Sequence, residues 1–277
     1  MTLGETLRKA AEYLGGKGVE SPRLDAELLF AQALGMTRIG LYTEHDRPLL
    51  EDELAGLREL VARRGRREPL AYILGEWGFR RLTLRVDRRA LIPRPETEIL
   101  VERCLTHLRE LDEPRVLDVG TGSGAIALAI ADEHPSVRVT ALDSSAEAVA
   151  LAGENLELTG LGDRVELVEH NVSDGLPPGP WELVASNPPY VEPAELETLQ
   201  PEIRDWEPRA ALVGEGLHDG VARAASRVLV AAGWLVLEVG DGQADGVAAG
   251  LRALGYADVS ITPDLTERQR VVEGRWP

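Results

Sequence analysis

The run Asn187-Pro188-Pro189-Tyr190 is where this 277-residue chain could do chemistry. It follows Trp181–Ser186, a short apolar segment that reads as a buried strand. Two consecutive prolines lock an extended turn and remove two N–H donors, while their carbonyls stay free. A loop with acceptors and few donors suits a ligand rich in N–H groups, such as an amide or amino nitrogen. An amide nitrogen is a poor nucleophile because its lone pair is delocalised. If the Asn187 side-chain oxygen and the Pro188 carbonyl each accept one of its N–H bonds, the lone pair is aimed at a methyl group presented by a cofactor. Positioning then supplies most of the catalysis, with Tyr190 packed on the flat amide face. A proline-stiffened turn with a surface tyrosine is the plainer alternative.

A second cluster points to that cofactor. After an apolar strand comes Gly120-Thr121-Gly122-Ser123-Gly124-Ala125, whose glycines allow a sharp strand-to-helix turn and close approach of a ligand. Asp143 ends the next strand, 23 residues after Gly120, where a carboxylate can accept hydrogen bonds from both ribose hydroxyls. These letters also satisfy the loose dinucleotide fingerprint, so the loop alone does not separate NAD from other adenosine cofactors. Charge leans toward S-adenosylmethionine. Residues 86–277 hold 34 acidic and 16 basic side chains, a net −18. That field disfavours a pyrophosphate and favours a sulfonium. No basic residue lies in the loop or beside Asp143.

The elements that must position these groups can be read from periodicity. Residues 1–68 form an expected helical bundle, with helices near 3–14, 22–34 and 51–64 closed by Gly15-Gly16, Gly35 and an arginine-rich end. Residues 69–92 read as a β-hairpin linker, with a strand-like alternation over 79–86. Residues 93–277 read as the catalytic domain. There, strands at 115–119, 137–142, 165–168, 181–186 and 233–239 alternate with helices at 98–108, 125–133, 146–158, 221–229 and 244–254. Strands at 256–262 and 270–276 close the sheet. Alternation of this kind predicts an α/β, Rossmann-like fold with a mainly parallel sheet and an antiparallel closing strand.

Other features carry less. Residues 1–85 hold 13 acidic and 14 basic side chains. The arginines at 63, 64, 66 and 67 there suit either a solvated helix end or a contact for an acidic or RNA-containing partner. His170 beside the cofactor edge reads as a satisfied side chain, and Cys104 as core. One cysteine cannot build a disulfide framework or a Cys-based zinc site, and no metal-ligand spacing is present. The N-terminus lacks an apolar signal core and no run approaches membrane-helix length. A cytoplasmic monomer is expected, with no membrane and no stably bound nucleic acid.

Several stretches together resemble the peptide chain release factor glutamine methyltransferases of the HemK/PrmC type. They are Asn187–Tyr190, Gly120–Gly124 with Asp143, Glu68–Gly75, Phe79, Leu91–Glu98, Glu207-Pro208 with Ala211-Leu212, and Leu237–Gly240. The tetrapeptide alone is shared with DNA adenine methyltransferases; its combination with Ile92–Glu98 is specific, and the resemblance spans essentially the whole chain. It implies methylation of the glutamine amide in the Gly-Gly-Gln motif of class I release factors, with S-adenosylmethionine converted to S-adenosylhomocysteine. By position, Gly120, Thr121, Gly122, Ser123 and Gly124 would hold the methionine part, Asp143 the ribose, and Asn171 and Val172 the adenine. Asn187 would face both cofactor and acceptor. Arg94 and Glu96 would shape the glutamine pocket, unless Arg94 pairs with a carboxylate of the acidic domain. A methyltransferase acting on adenine in DNA or RNA is the alternative, and it would need a basic face that the −18 domain does not offer.

Overall fold

The computed structural model describes residues 1–214 and 216–277, which fold as two compact units. One unit comprises residues 1–76 with 199–206; the other comprises 77–198 with 207–277.

The first unit is helical: α1 (Leu3–Gly16), α2 (Pro22–Leu34), α3 (Arg38–Thr43), α4 (Glu51–Gly65) and α5 (Leu70–Leu74). Thr2 and Glu5 form a reciprocal capping box on α1. Pro22 opens α2, and Gly35, in the left-handed region, ends it. Leu3, Leu14, Phe30, Leu41 and Leu57 form the centre of its core. The six-residue α3 and five-residue α5 are shorter than the windows in which helical periodicity is legible, so sequence reading passed them over.

The basic run is neither a bare helix end nor a free contact surface. Arg63 donates to Glu68, buried Arg64 to Asp25 (2.6 Å) and Glu202 (2.8 Å), and Arg67 to both oxygens of Glu202. These arginines neutralise carboxylates within the same unit, including Glu202 on the returning segment 199–206 and its short helix α9 (Pro201–Arg204). Only Arg66 of the four is exposed.

A hairpin follows at the start of the second unit, β1 (Glu76–Phe79, its first residue the last of the helical unit) and β2 (Leu82–Arg85), so the alternation over 79–86 is broken by a turn at Arg80-Arg81. It continues through α6 (Thr97–Leu108), β3 (Arg115–Val119), α7 (Ala125–Glu133), β4 (Arg138–Asp143), α8 (Ala146–Thr159), β5 (Val165–Glu169) and β6 (Trp181–Ser186). After α10 (Arg209–Leu212) come α11 (Leu217–Ala225), β7 (Leu229–Glu238), α12 (Ala244–Leu254), β8 (Ala257–Pro263) and β9 (Gln269–Arg275). The sheet order is β5-β4-β3-β6-β7-β9-β8, with β9 antiparallel to both neighbours and the pairs from β5 to β7 parallel.

Strand residues alternate between two cores. Val116, Val139, Ala141, Leu183 and Ala185 pack under α6 and α7, whereas Leu117, Val119, Leu142, Val184 and Leu237 pack under α11 and α12. Cys104 is fully buried in the first of these. The helix expected over 221–229 instead runs from Leu217 to Ala225, and Leu229 already pairs with Trp181 as strand. A register shift between Trp181 and Leu183 lets β7 start early, so the strand read over 233–239 gains its first four residues, which period counting assigned to the helix or the turn. Among the described residues no helix is long and apolar enough to cross a membrane.

Candidate active site

Register places the chemistry. Val119 pairs with Leu142 on one side and Ser186 on the other, so Gly120, Asp143 and Asn187 leave three adjacent parallel strands at one level. The chain steps outward from β3 to β4 and β5, then returns to β6 on the opposite side of β3. Parallel sheets bind ligands at the carboxyl ends flanking such a reversal. A cavity of about 290 Å³ lies there within the second unit.

One wall is mostly backbone. Gly120 and Gly122 adopt φ of 79° and 57°, and Thr121 donates to buried Asp118 (2.7 Å). Gly120 and Thr121 both donate N–H bonds to Leu142 O, clamping the loop onto β4. Asp143 accepts from Gly122 N and Ser145 N, each at 2.9 Å. A carboxylate has about four acceptor directions, so capacity remains for hydroxyl donors. Gly120, Thr121, Gly122, Ser123, Asp143, Asn171 and Val172 all line the cavity, as does His170, whose Nε2 lies 2.7 Å from Gly175 O. Gly124 is not among the lining residues. A Cβ there would lie 3.1 Å from Leu128 and 3.3 Å from Ala152, so its role is close helix packing. Burial pushes the Asp118 carboxyl up to about 7.

The opposite wall carries Asn187, Pro188 and Pro189 with Arg94, Thr97, Pro208 and Ala211. Asn187 Nδ2 donates to Thr97 Oγ1 at 3.3 Å, and Thr97 Oγ1 donates to Glu238 Oε2 at 2.6 Å. Glu238 is only 2% exposed, and burial raises its carboxyl to about 7. Arg94 pairs with buried Glu207 and also lines the cavity, so the two roles expected of this arginine do not exclude each other. Burial holds the Glu207 carboxyl above its ordinary value despite that partner.

Tyr190 is not a lining residue among those described. Its ring stacks beside His218, with centroids 6.4 Å apart, and its carbonyl accepts from Gln243 Nε2. Gly240 makes room for it, since a Cβ there would sit 2.8 Å from the ring. Burial pushes the Tyr190 phenol up to about 12 and His218 down, so both stay neutral near pH 7. Thr97, Glu238 and His218 had no assigned role from sequence. Thr97 and Glu238 lie inside motif stretches, but only the fold brings them to Asn187.

The PrmC N-terminal domain family matches residues 5–75, and the Methyltransferase small domain family matches residues 96–203. A release factor glutamine methyltransferase from Geobacter sulfurreducens is 44% identical, with 98% of this chain and 96% of the relative covered. The chain belongs to the release factor glutamine methyltransferase family. The enzyme of that name from Deinococcus radiodurans is 42% identical over 99% of both chains. A SAM-dependent O-methyltransferase structure from Thermotoga maritima shares the fold at 16% identity and a TM-score of 0.50, covering 68% of this chain and 67% of that one. The family's helical N-terminal part and its methyltransferase part thus both have counterparts here.

Proposed function

We propose that this chain transfers a methyl group from S-adenosyl-L-methionine to the side-chain amide nitrogen of the glutamine in the Gly-Gly-Gln motif of class I release factors, leaving S-adenosyl-L-homocysteine. The observation that carries this reading is the convergence of Gly120, Asp143 and Asn187 on one cavity. The residues present fit the cofactor. Positive-φ glycines give a backbone cradle, the amino end of α7 favours a carboxylate, and Asp143 suits a ribose.

When bound, the cofactor supplies an electrophilic methyl on a cationic sulfur. Asn187 Oδ1 and Pro188 O accept the two N–H bonds of the substrate amide and hold its nitrogen in line with that methyl. With the cofactor bound, its methyl would pass to that nitrogen, the S–C bond pair would stay on sulfur, and the nitrogen would shed one proton to water. No strong base is needed beforehand, because orientation is the main contribution. Pro189 stiffens the turn, and Tyr190 acts from behind it, held by Gln243 and His218. Gly124 serves the cofactor through helix packing, and Asn171 and Val172 flank the adenine.

We read the protein as a cytoplasmic monomer that holds no nucleic acid stably; the −18 charge of residues 86–277 supports a protein acceptor over a duplex. Mass spectrometry of a class I release factor, incubated with this protein and S-adenosylmethionine, tests the reading. The expected result is a single added methyl on the Gly-Gly-Gln glutamine. An unmodified glutamine, beside a positive-control enzyme that modifies it, would overturn it.

A further inference from the structure

We infer that Glu238 and Thr97 are positioning residues that fix which end of the Asn187 side chain faces the acceptor. This rests on the reading that Asn187 Oδ1 accepts a substrate N–H.

An asparagine amide has a donor end and an acceptor end of nearly the same shape, so packing alone does not choose between its two flips. Here the choice is forced by a chain of polarity. Ionised Glu238 can only accept. It takes the single hydroxyl hydrogen of Thr97 at 2.6 Å, which leaves Thr97 Oγ1 only lone pairs for Asn187. Asn187 must therefore present Nδ2, seen at 3.3 Å from Oγ1. Oδ1 is left for the substrate. Thr97 and Glu238 are well shielded, at 5% and 2% exposure, so water does not readily replace the bond between them.

Protonation reverses the logic. A neutral Glu238 can donate to Thr97, whose hydrogen is then free to point at Asn187 Oδ1 and stabilise the wrong flip. Other groups also act on this carboxyl. Glu96 at the start of α6 raises its pKa, Arg270 on β9 lowers it, Tyr190 lies within its field, and the His218 ring bonds the Glu238 carbonyl. With burial dominating, the carboxyl titrates at about 7. Turnover therefore climbs as pH rises through that region.

The test is steady-state methylation of a release factor by the full chain, with cofactor affinity measured by calorimetry. Glu238→Gln removes the acceptor-only end of the relay at nearly constant shape, since its NH₂ can donate to Thr97. It should lower kcat about 30-fold or more, with cofactor Kd and release-factor KM within about twofold of wild type. It should also flatten the rise of kcat near pH 7. Thr97→Ser keeps the hydroxyl and should stay within about threefold, whereas Thr97→Val should fall about tenfold. If Glu238→Gln folds poorly, the Thr97 pair decides. Equal kcat for the Ser and Val variants, or wild-type turnover in Glu238→Gln, overturns the proposal. Asn187→Ala separates the two ideas: wild-type turnover there sinks the function reading itself, whereas a dead Asn187→Ala beside an active Glu238→Gln sinks only the relay.

Discussion

The two walls of the cavity are built in opposite ways. The wall proposed for the cofactor is local. Gly120–Ser123 is one turn between β3 and α7, its conformation comes from positive-φ glycines, and Asp143 needs only the neighbouring strand end to be in place. The wall proposed for the acceptor gathers Arg94, Thr97 and Asn187, backed by Glu207 and Glu238, from four separated stretches, and the two buried carboxyls behind it are held above their ordinary pKa. A backbone cradle costs little to maintain and tolerates many acceptors. Buried carboxylates cost stability and are retained where orientation of a side chain matters.

The sharpest way to break this comparison is Asn187→Ala. Loss of the amide should lower kcat by about 10²–10³, the scale seen when one transition-state hydrogen bond is removed, with cofactor affinity unchanged. If calorimetry instead showed weakened cofactor binding with kcat preserved, the division into two walls would be wrong.

Next in size is the stability cost of Glu238. Its folded pKa lies near 7, above the ordinary 4.5, so the stability it contributes is intact below pH 4.5 and is lost as pH rises through 7. Glu238→Gln avoids that loss. Chemical denaturation should find the variant more stable than wild type by about 3 kcal/mol at pH 8, with the gain gone by pH 4. A gain independent of pH would refute the titration.

On the other wall, Asp143→Ala should weaken cofactor affinity about 10- to 100-fold while kcat at saturating cofactor changes little, because a charged hydrogen-bond acceptor is removed far from the transferred methyl. Unchanged affinity would remove Asp143 from the ribose.

The smallest expected effect is at Arg94. Arg94→Ala leaves Glu207 buried without its guanidinium. The partly exposed arginine limits the destabilisation to about 1–2 kcal/mol at pH 8, shrinking toward pH 5 as the carboxyl takes up a proton. Thermal melts at both pH values would reveal an equal loss if the pairing were incidental.

The same contrast explains what could be read from sequence. The glycine loop, Asp143 and the tetrapeptide were legible because each is a short run whose residue types dictate its geometry. All seven strands of the main sheet and most long helices were legible from period. The hydrogen bonds from Asn187 to Thr97 and from Thr97 to Glu238 were not, because they join positions 90 and 141 residues apart and depend on sheet order. Nor was the partner of Arg64, since Glu202 lies 138 residues away.

That distant partner has a practical consequence for anyone dissecting the protein. Residues 199–206 belong to the helical unit, yet they are spliced into the middle of the methyltransferase sequence. A truncation ending at residue 76 would therefore discard part of the fold it meant to isolate. Arg64 and Arg67 would lose Glu202, and the buried Arg64 guanidinium would keep Asp25 as its only carboxylate, beside the Glu68 carbonyl. A soluble excised fragment calls for a linker that restores the 199–206 peptide, or for Arg64 and Arg67 replaced by neutral residues.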